Sequence, residues 1–227
     1  MIDKKKIDHA LSVLDAIGDT PFVTVGFSCG KDSVVCMELA RRVFKKVVPI
    51  HFYWFPDLDV SETALRYYEN LFKTEIVRLP HPGLYDLLRH QSWQPLHRVK
   101  YLDQIQFPRV DFNDLRYQYL GTPEDEYVWD IVGLKRGDGF NRAMVIKKSG
   151  YFNMTKHKVY PIGTWTHTDC FTFLADLKYK LPRDYAIWGQ SFDGFAKPFL
   201  LGLKKFYPKD FEKVKQVFPF LEMEVIR

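Results

Sequence analysis

Apolar residues in the first third of the chain follow two different spacings. Residues 3–17 repeat apolar side chains every three or four positions, which predicts an amphipathic helix. Beyond it, strand-like apolar runs alternate with helical patterns, and they predict strands at 22–27, 47–54 and 74–79 and helices at 34–43 and 61–72. This alternation predicts parallel strands joined by crossover helices.

The rest of the chain is less regular. Residues 80–125 are rich in Pro, His, Arg, Gln and Tyr, which indicates a long irregular insertion. Later patterns predict a strand at 130–134, a hairpin arm at 151–158, a helix at 167–178 and a basic helical tail at 197–217, interrupted at Pro208. We therefore expect an α/β fold with a doubly wound, mostly parallel sheet in residues 1–180, and a helical C-terminal extension, 181–227, packed on it.

Composition narrows the class without identifying a function. The 227 residues are 46% hydrophobic and 27% charged, with 13 Gly and 13 Pro, which excludes disordered, collagen-like and coiled-coil proteins. The net charge of +5 is only mildly basic and suits a protein that handles phosphates. Aromatic residues make up 16% of the chain and form one mixed basic-aromatic stretch at 89–101. That stretch is either an ordinary solvated loop or a surface that covers a base or binds nucleic acid.

The cysteines indicate a reduced, intracellular setting. Cys29, Cys36 and Cys170 are too few and too scattered for a disulfide framework, and no Cys/His spacing matches a zinc site. No apolar run reaches the ~18 residues of a membrane-spanning helix. The charged N-terminus lacks the apolar run of a secretory signal. We expect a cytoplasmic protein with no membrane partner.

One segment carries clear chemistry. The strand predicted at 22–27 runs directly into the loop Ser28-Cys29-Gly30-Lys31-Asp32-Ser33, after which a helix begins. Backbone N–H groups, hydroxyls, a lysine and a helix N-terminus together favour binding of an anion. The loop is neither a Walker A sequence nor a dinucleotide fingerprint. It predicts a phosphate-binding loop, and a plain strand-to-helix turn is the alternative.

Phe27 through Ser33 resembles the SGGKDS signature of the PP-loop ATP pyrophosphatases, with Cys29 in place of the first glycine. The chain is most similar to the branch that contains phosphoadenosine-phosphosulfate (PAPS) reductases and the small subunit of sulfate adenylyltransferase. Three further stretches match that branch in order, at 51–57, 133–142 and 161–169. The resemblance implies the adenine nucleotide alpha hydrolase-like fold.

The resemblance also implies a set of site residues. Lys31, Lys135 and Arg142 would be catalytic, and Asp32 is a candidate Mg²⁺ ligand through ATP. The residues implied in nucleotide binding are Phe27, Ser28, Cys29, Gly30, Lys31, Asp32, Ser33, Phe52, Gly133 and Asp138. Lys135 stands where the family has arginine, so a bidentate grip on phosphate is lost there.

The implied activity is binding of ATP and adenylation of an acceptor, with pyrophosphate as the leaving group. No cysteine follows Cys170, so the C-terminal nucleophile of PAPS reductases is missing, as are the cysteines of an iron–sulfur cluster. One alternative is a reductase-like enzyme that acts on an adenylylated sulfur compound (PAPS or APS) with a thiol supplied elsewhere. Another is a nucleotide-dependent partner subunit of a nucleic-acid-processing system. Partner subunits and homo-oligomers stay open, as does the acceptor.

Overall fold

The computed structural model describes residues 2–121, 127–191 and 194–226. These residues form a six-stranded sheet with the order β3-β2-β1-β4-β6-β5. The strands are β1 (Val23–Gly26), β2 (Val47–Tyr53), β3 (Val77–Pro80), β4 (Asp130–Ile131), β5 (Phe152–Asn153) and β6 (Lys158–Val159). All neighbours pair in parallel except β5 with β6, which is the predicted hairpin arm.

Twelve α-helices occur among the described residues. They are α1 (Lys4–Asp15), α2 (Lys31–Val43), α3 (Asp59–Phe72), α4 (Pro82–Arg89), α5 (Leu96–Leu102), α6 (Phe112–Leu120), α7 (Phe140–Ser149), α8 (His167–Asp176), α9 (Asp184–Trp188), α10 (Lys197–Phe206), α11 (Pro208–Val217) and α12 (Glu222–Ile226). Short 3₁₀ turns lie at Arg136–Asp138 and Pro219–Leu221. No helix of the described ranges has the length and apolar character needed to cross a bilayer.

Strand β1 lies in the middle of the sheet and is covered on both faces. Val23 and Val25 are fully buried in the main core with residues of α2. Thr24 points the other way, where its hydroxyl accepts a hydrogen bond of 3.1 Å from Arg116 of α6. Helices therefore cover both faces, and the predicted doubly wound α/β fold is confirmed.

The stretch predicted to be irregular, 80–125, instead contains helices α4, α5 and α6. Each spans only seven to nine residues, too few for a strong apolar repeat. Local caps begin two of them: His81 Nδ1 accepts from the Gly83 amide, and Asp111 forms a capping box with Asp114. Residues 122–125 of this stretch lie outside the described residues. Helix α7 was also not predicted, and the strand predicted at 130–134 is shortened to β4.

The C-terminal helices enclose a second apolar core. Phe199, Leu203, Phe211 and Phe218 pack there together with Leu58, which precedes α3. This second core therefore forms beyond the carboxyl end of β2. The helical break predicted at Pro208 is confirmed by the boundary between α10 and α11. The assignment of 181–227 as a separate extension stays a prediction, and residues 192, 193 and 227 lie outside the described residues.

Asp210 of α11 caps helix α3 from a distance in sequence of 150 residues. Its carboxylate is 1% exposed and accepts a hydrogen bond of 3.0 Å from the Val60 amide. The N-cap residue itself, Leu58, offers no side-chain acceptor. The start of α3 is therefore satisfied by the C-terminal helices.

We expect Asp210→Ala to lower the free energy of unfolding by about 1–3 kcal/mol, because it leaves the buried Val60 amide without an acceptor. Urea unfolding followed by circular dichroism measures the change. The exposed Asp15 supplies the control, and Asp15→Ala should stay within about 0.5 kcal/mol of the wild type. Equal stability of the two variants would show that the tertiary cap is unimportant.

Candidate functional site

The loop after β1 is tied together by its own small side chains. The Gly30 amide donates to Ser28 Oγ at 3.3 Å, and Ser33 Oγ donates to the Gly30 carbonyl at 2.8 Å. Helix α2 begins at Lys31, and its N-cap residue, Gly30, provides no side-chain cap. The first amides of α2 therefore lie at the carboxyl end of β1 with the positive end of the helix behind them, which suits an anion.

Cys29 occupies a backbone conformation that favours glycine. Its φ is +60°, and its side chain is 4% exposed in the main core. Burial raises the pKa of the Cys29 thiol well above its ordinary value, and the Asp184 carboxylate raises it further. Desolvation of the thiolate therefore decides the direction of this shift, although Lys31 and the helix N-terminus lie next to Cys29 in the chain.

The charged residues implied by the motif meet in one connected network. Asp32 Oδ2 lies 3.1 Å from Lys31 Nζ and 2.6 Å from Lys135 Nζ. Lys135 Nζ also contacts Asp138 Oδ1 at 3.0 Å, and Asp138 Oδ2 accepts from Arg142 at 3.1 Å. The network thus joins the loop to the segment after β4, and brings together all three predicted catalytic cations.

Lys135 is enclosed by this network. Its side chain is 0% exposed and sits between two carboxylates, whose hydrogen bonds raise the Lys135 pKa against the opposing effect of burial. Arg142 at the other end of the network is half exposed. In this arrangement Lys135 stabilises the loop through Asp32, whereas Arg142 is accessible to a ligand.

The two carboxylate oxygens of Asp32, the predicted Mg²⁺ ligand, have different surroundings. Two ammonium groups already neutralise Oδ2, and a divalent cation there would lie against both of them. The described residues contain no group of three or more His, Cys, Asp or Glu side chains that could hold a metal ion. The other oxygen, Oδ1, is buried and has no hydrogen-bond partner among the described residues, so Asp32 as a Mg²⁺ ligand stays a prediction. The two lysines also give Asp32 a structural role, as the link between the loop and the segment after β4.

Gly133 lies where the segment after β4 passes the start of α2. A Cβ atom at Gly133 would lie 2.9 Å from the carbonyl carbon of Asp32, closer than side chains pack. Any larger residue would push the two segments apart. Gly133 therefore permits the approach that lets Lys135 reach Asp32.

A cavity of about 200 Å³ opens beside the loop, between the carboxyl ends of β1 and β2. Of the predicted nucleotide-binding residues, Phe27, Ser28, Cys29 and Phe52 line it. Its other lining residues are Gly26, Ile50, His51, Trp54, Ser61, Ala64, His81, Phe112 and Asp184. The walls are mainly aromatic and aliphatic, and Phe52 meets Phe112 edge-on at 4.9 Å. Such a cavity suits a flat, weakly polar group.

Residues 182–191 complete the site, and sequence reasoning missed them. The Tyr185 hydroxyl accepts a hydrogen bond of 2.9 Å from the Lys31 amide, the position that an anion oxygen would take at the start of α2. A Cβ atom on Gly30 would lie 2.8 Å from Ser191 Oγ, so this segment covers the loop closely. These contacts join positions more than 150 residues apart, and no local motif signals them.

The basic-aromatic stretch 89–101 lies away from the cavity, and none of its residues lines it. Trp93 packs against Phe195 and Phe218 in the second core. Arg98 donates to the Gln216 carbonyl at 3.1 Å. The hypothesis that this stretch covers a base is therefore wrong for the cavity beside the loop, because its aromatic anchor faces the C-terminal helices.

Comparison with known proteins supports the fold. No family model and no curated protein sequence matches the chain. Among solved structures, the U34-tRNA thiolase NcsA from Methanococcus maripaludis, determined with its [4Fe-4S] cluster, has a TM-score of 0.53 at 14% identity, over 96% of this chain and 78% of that one. At this identity the likeness establishes a shared fold. The PP-loop resemblance is thereby confirmed at the level of the fold.

Two other solved structures also align over most of this chain, with TM-scores of 0.49. An NH3-dependent NAD synthetase from Campylobacter jejuni is 13% identical, over 98% of this chain and 93% of that one. A PAPS reductase from Candida auris, in complex with phosphate, is 12% identical, over 85% of this chain and 98% of that one.

We expect Lys135→Ala to lower the free energy of unfolding by about 3–5 kcal/mol, because it leaves two largely buried carboxylates facing each other without their shared cation. Urea unfolding measures the loss. Lys148→Ala removes the same charge from an exposed position of α7 and should cost less than about 0.5 kcal/mol. A cost at Lys135 as small as that of the control would mean that water reaches the network.

The three thiols should resist modification in the folded protein. Cys29, Cys36 and Cys170 are all buried, and burial raises the pKa of each thiol, so little reactive thiolate forms near pH 8. We expect Ellman's reagent to label all three only after unfolding in guanidinium chloride. Rapid labelling of one thiol in the native protein would contradict the inert role assigned to these cysteines.

Proposed function

We propose that this protein binds ATP, with the phosphates on the loop Ser28–Ser33 and the base in the adjacent cavity, and that it adenylates an acceptor with release of pyrophosphate. One observation carries the proposal. A helix start whose N-cap residue provides no side-chain cap lies, together with the Ser28 hydroxyl and a lysine, directly beside an apolar cavity at the carboxyl edge of β1 and β2. Open α/β sheets bind ligands at that edge.

The part of the site that binds the phosphates combines backbone amides, a hydroxyl and a lysine. The first amides of α2 and the Ser28 hydroxyl donate hydrogen bonds to phosphate oxygens, while the Ser33 hydroxyl stays bonded to the Gly30 carbonyl and holds the loop in shape. Lys31 adds a point charge at the same place, and its side chain is 9% exposed beside Asp32. The Tyr185 hydroxyl leaves the Lys31 amide when a phosphate oxygen takes its position. Such exchange keeps the amide paired in both states.

The cavity proposed to hold the base is small. Ligand pockets for drug-sized molecules enclose roughly 300 Å³ or more. The cavity of about 200 Å³ therefore accommodates one part of a nucleotide, and its aromatic walls favour the base. The phosphates then extend toward the loop, because Ser28 and Cys29 belong both to the cavity wall and to the loop.

The chemistry is a displacement at the α-phosphorus. An acceptor oxygen forms a bond to that phosphorus while the bond to the bridging oxygen of pyrophosphate breaks, so AMP is transferred and pyrophosphate leaves with the electron pair. Lys31 and the first amides of α2 stabilise the charge on the leaving group, and Arg142 is the accessible cation beyond Asp138. The remaining contribution is positioning of the two reactants. Magnesium would enter with ATP as part of the substrate, since two lysines already pair with Asp32 Oδ2.

The reductase alternative gains no support from the cysteines. All three thiols are buried with raised pKa values, so none of them suits nucleophilic attack on sulfur. A reductase reaction would need a thiol that is supplied from elsewhere. Because free thiols persist in a reducing compartment, we also propose that the protein is cytoplasmic.

Lys31→Ala tests the nucleotide assignment. We expect the affinity for ATP, measured by isothermal titration calorimetry with Mg²⁺, to fall tenfold or more, since a charge-assisted contact to phosphate is worth about 1.5–3 kcal/mol. Lys148→Ala, a surface variant with the same change in net charge, should bind ATP like the wild type. Wild-type protein incubated with ATP, Mg²⁺ and cell extract as a source of acceptors should release pyrophosphate.

Two outcomes would reject the proposal. If the wild type binds no ATP, the loop is a plain turn between strand and helix. If ATP binds but no pyrophosphate forms with any acceptor or partner, the protein binds nucleotide without adenylating anything.

A further inference from the structure

Asp184 lies at the junction between the cavity and the phosphate-binding loop. It is the first residue of α9, is 7% exposed, and lines the cavity together with Ser28 and Cys29 of the loop. Its carboxylate is the strongest charged influence on the Cys29 thiol, whose pKa it raises. A buried carboxylate therefore lies at the point where the cavity meets the loop.

The next residue, Tyr185, shows where Asp184 lies relative to the phosphates. The hydroxyl of Tyr185 contacts the Lys31 amide at 2.9 Å, at the start of α2. Asp184 and Tyr185 thus face two successive parts of one elongated site, the first on the cavity side and the second on the phosphate side. In a nucleotide that spans the site, the part between base and phosphates is the ribose.

We infer that Asp184 binds the ribose of the nucleotide, and that the site takes ribonucleotides with free 2′ and 3′ hydroxyls. The inference rests on the proposed function, since it requires a nucleotide in this site. A carboxylate has only acceptor oxygens, and two neighbouring hydroxyls can each donate to one of them. An acidic residue reads the ribose 2′ hydroxyl in dinucleotide-binding folds for the same reason.

The same carboxylate disfavours a nucleotide with a 3′ phosphate. Such a phosphate would lie close to the Asp184 carboxylate, which is itself buried, and like charges repel strongly away from bulk water. The described residues that line the cavity include no lysine or arginine that would compensate for it. Asp184 therefore selects ATP over 3′-phosphoadenosine nucleotides, which separates adenylation from the PAPS-dependent alternative.

The experiment compares nucleotides on the wild-type protein first. We expect ATP to bind about tenfold or more tightly than 2′-deoxy-ATP, because the deoxy compound loses a hydrogen bond to a charged group. We also expect 3′-phosphoadenosine 5′-phosphate to bind more weakly than 5′-AMP. Fluorescence competition against a labelled ATP analogue measures all four ligands in one assay.

Asp184→Asn keeps the shape of the side chain and removes its charge. We expect the preference for ATP over 2′-deoxy-ATP to shrink and the affinity for 3′-phosphoadenosine 5′-phosphate to rise relative to 5′-AMP. Asp15→Asn, at an exposed position of α1, should change neither ratio. Thermal unfolding of both variants checks that they are folded.

The possible failures are distinguishable. Equal binding of ATP and 2′-deoxy-ATP by the wild type, or unchanged ratios in Asp184→Asn, would overturn the ribose assignment and leave ATP binding intact. Tight binding of the 3′-phosphorylated nucleotide by the wild type would overturn it as well. If none of the four nucleotides binds, the proposed function fails, and the inference fails with it.

Discussion

The shape of the loop depends on one carboxylate held between two lysines. Asp32 lies in the first turn of α2, and Lys135, 2.6 Å away, follows β4 about a hundred residues later in the chain. Lys31 completes the arrangement at 3.1 Å. Because this group of charges is largely buried, moving any member would expose an uncompensated charge to a medium that solvates it poorly. The segment after β4 therefore holds the loop in place through Lys135. Gly133 lets that segment come close enough to the start of α2 for this contact to form.

This network also decides how much positive charge the loop presents. Lys31, Lys135 and Arg142 contribute three positive charges, and Asp32 and Asp138 remove two of them. The network as a whole therefore carries a single net positive charge, and Arg142 provides its exposed end. The mild basicity of the whole chain, +5, does not concentrate at the loop. Affinity for an anion at this place comes mainly from directed N–H and O–H donors, which act at short range and require a fixed geometry.

The candidate site is formed by segments that pack in both apolar cores. Its loop and strands are part of the main core, whereas the segment that carries Asp184 and Tyr185 is held by the second one. Trp188 at the end of α9 packs against Phe199, with the two rings tilted and their centres 4.9 Å apart. It also lies against Gly202, where a Cβ atom would come within 2.2 Å of the indole nitrogen. Packing among the C-terminal helices therefore positions the groups that face the loop, and links the stability of that region to the geometry of the site.

The sequence alone determined the strand–helix alternation, the loop at 28–33 and its place at a strand end, because apolar periodicity and small polar residues act through near neighbours in the chain. It did not reveal the short helices of 80–125, whose caps outweigh their weak periodicity. Only the tertiary structure decided that Lys135 is enclosed, that Cys29 is inert and that Asp184 reaches the cavity. Those properties arise from contacts between residues about 100–150 positions apart and from the loss of water around these residues. The spacing of apolar and polar residues along the chain does not show either of them.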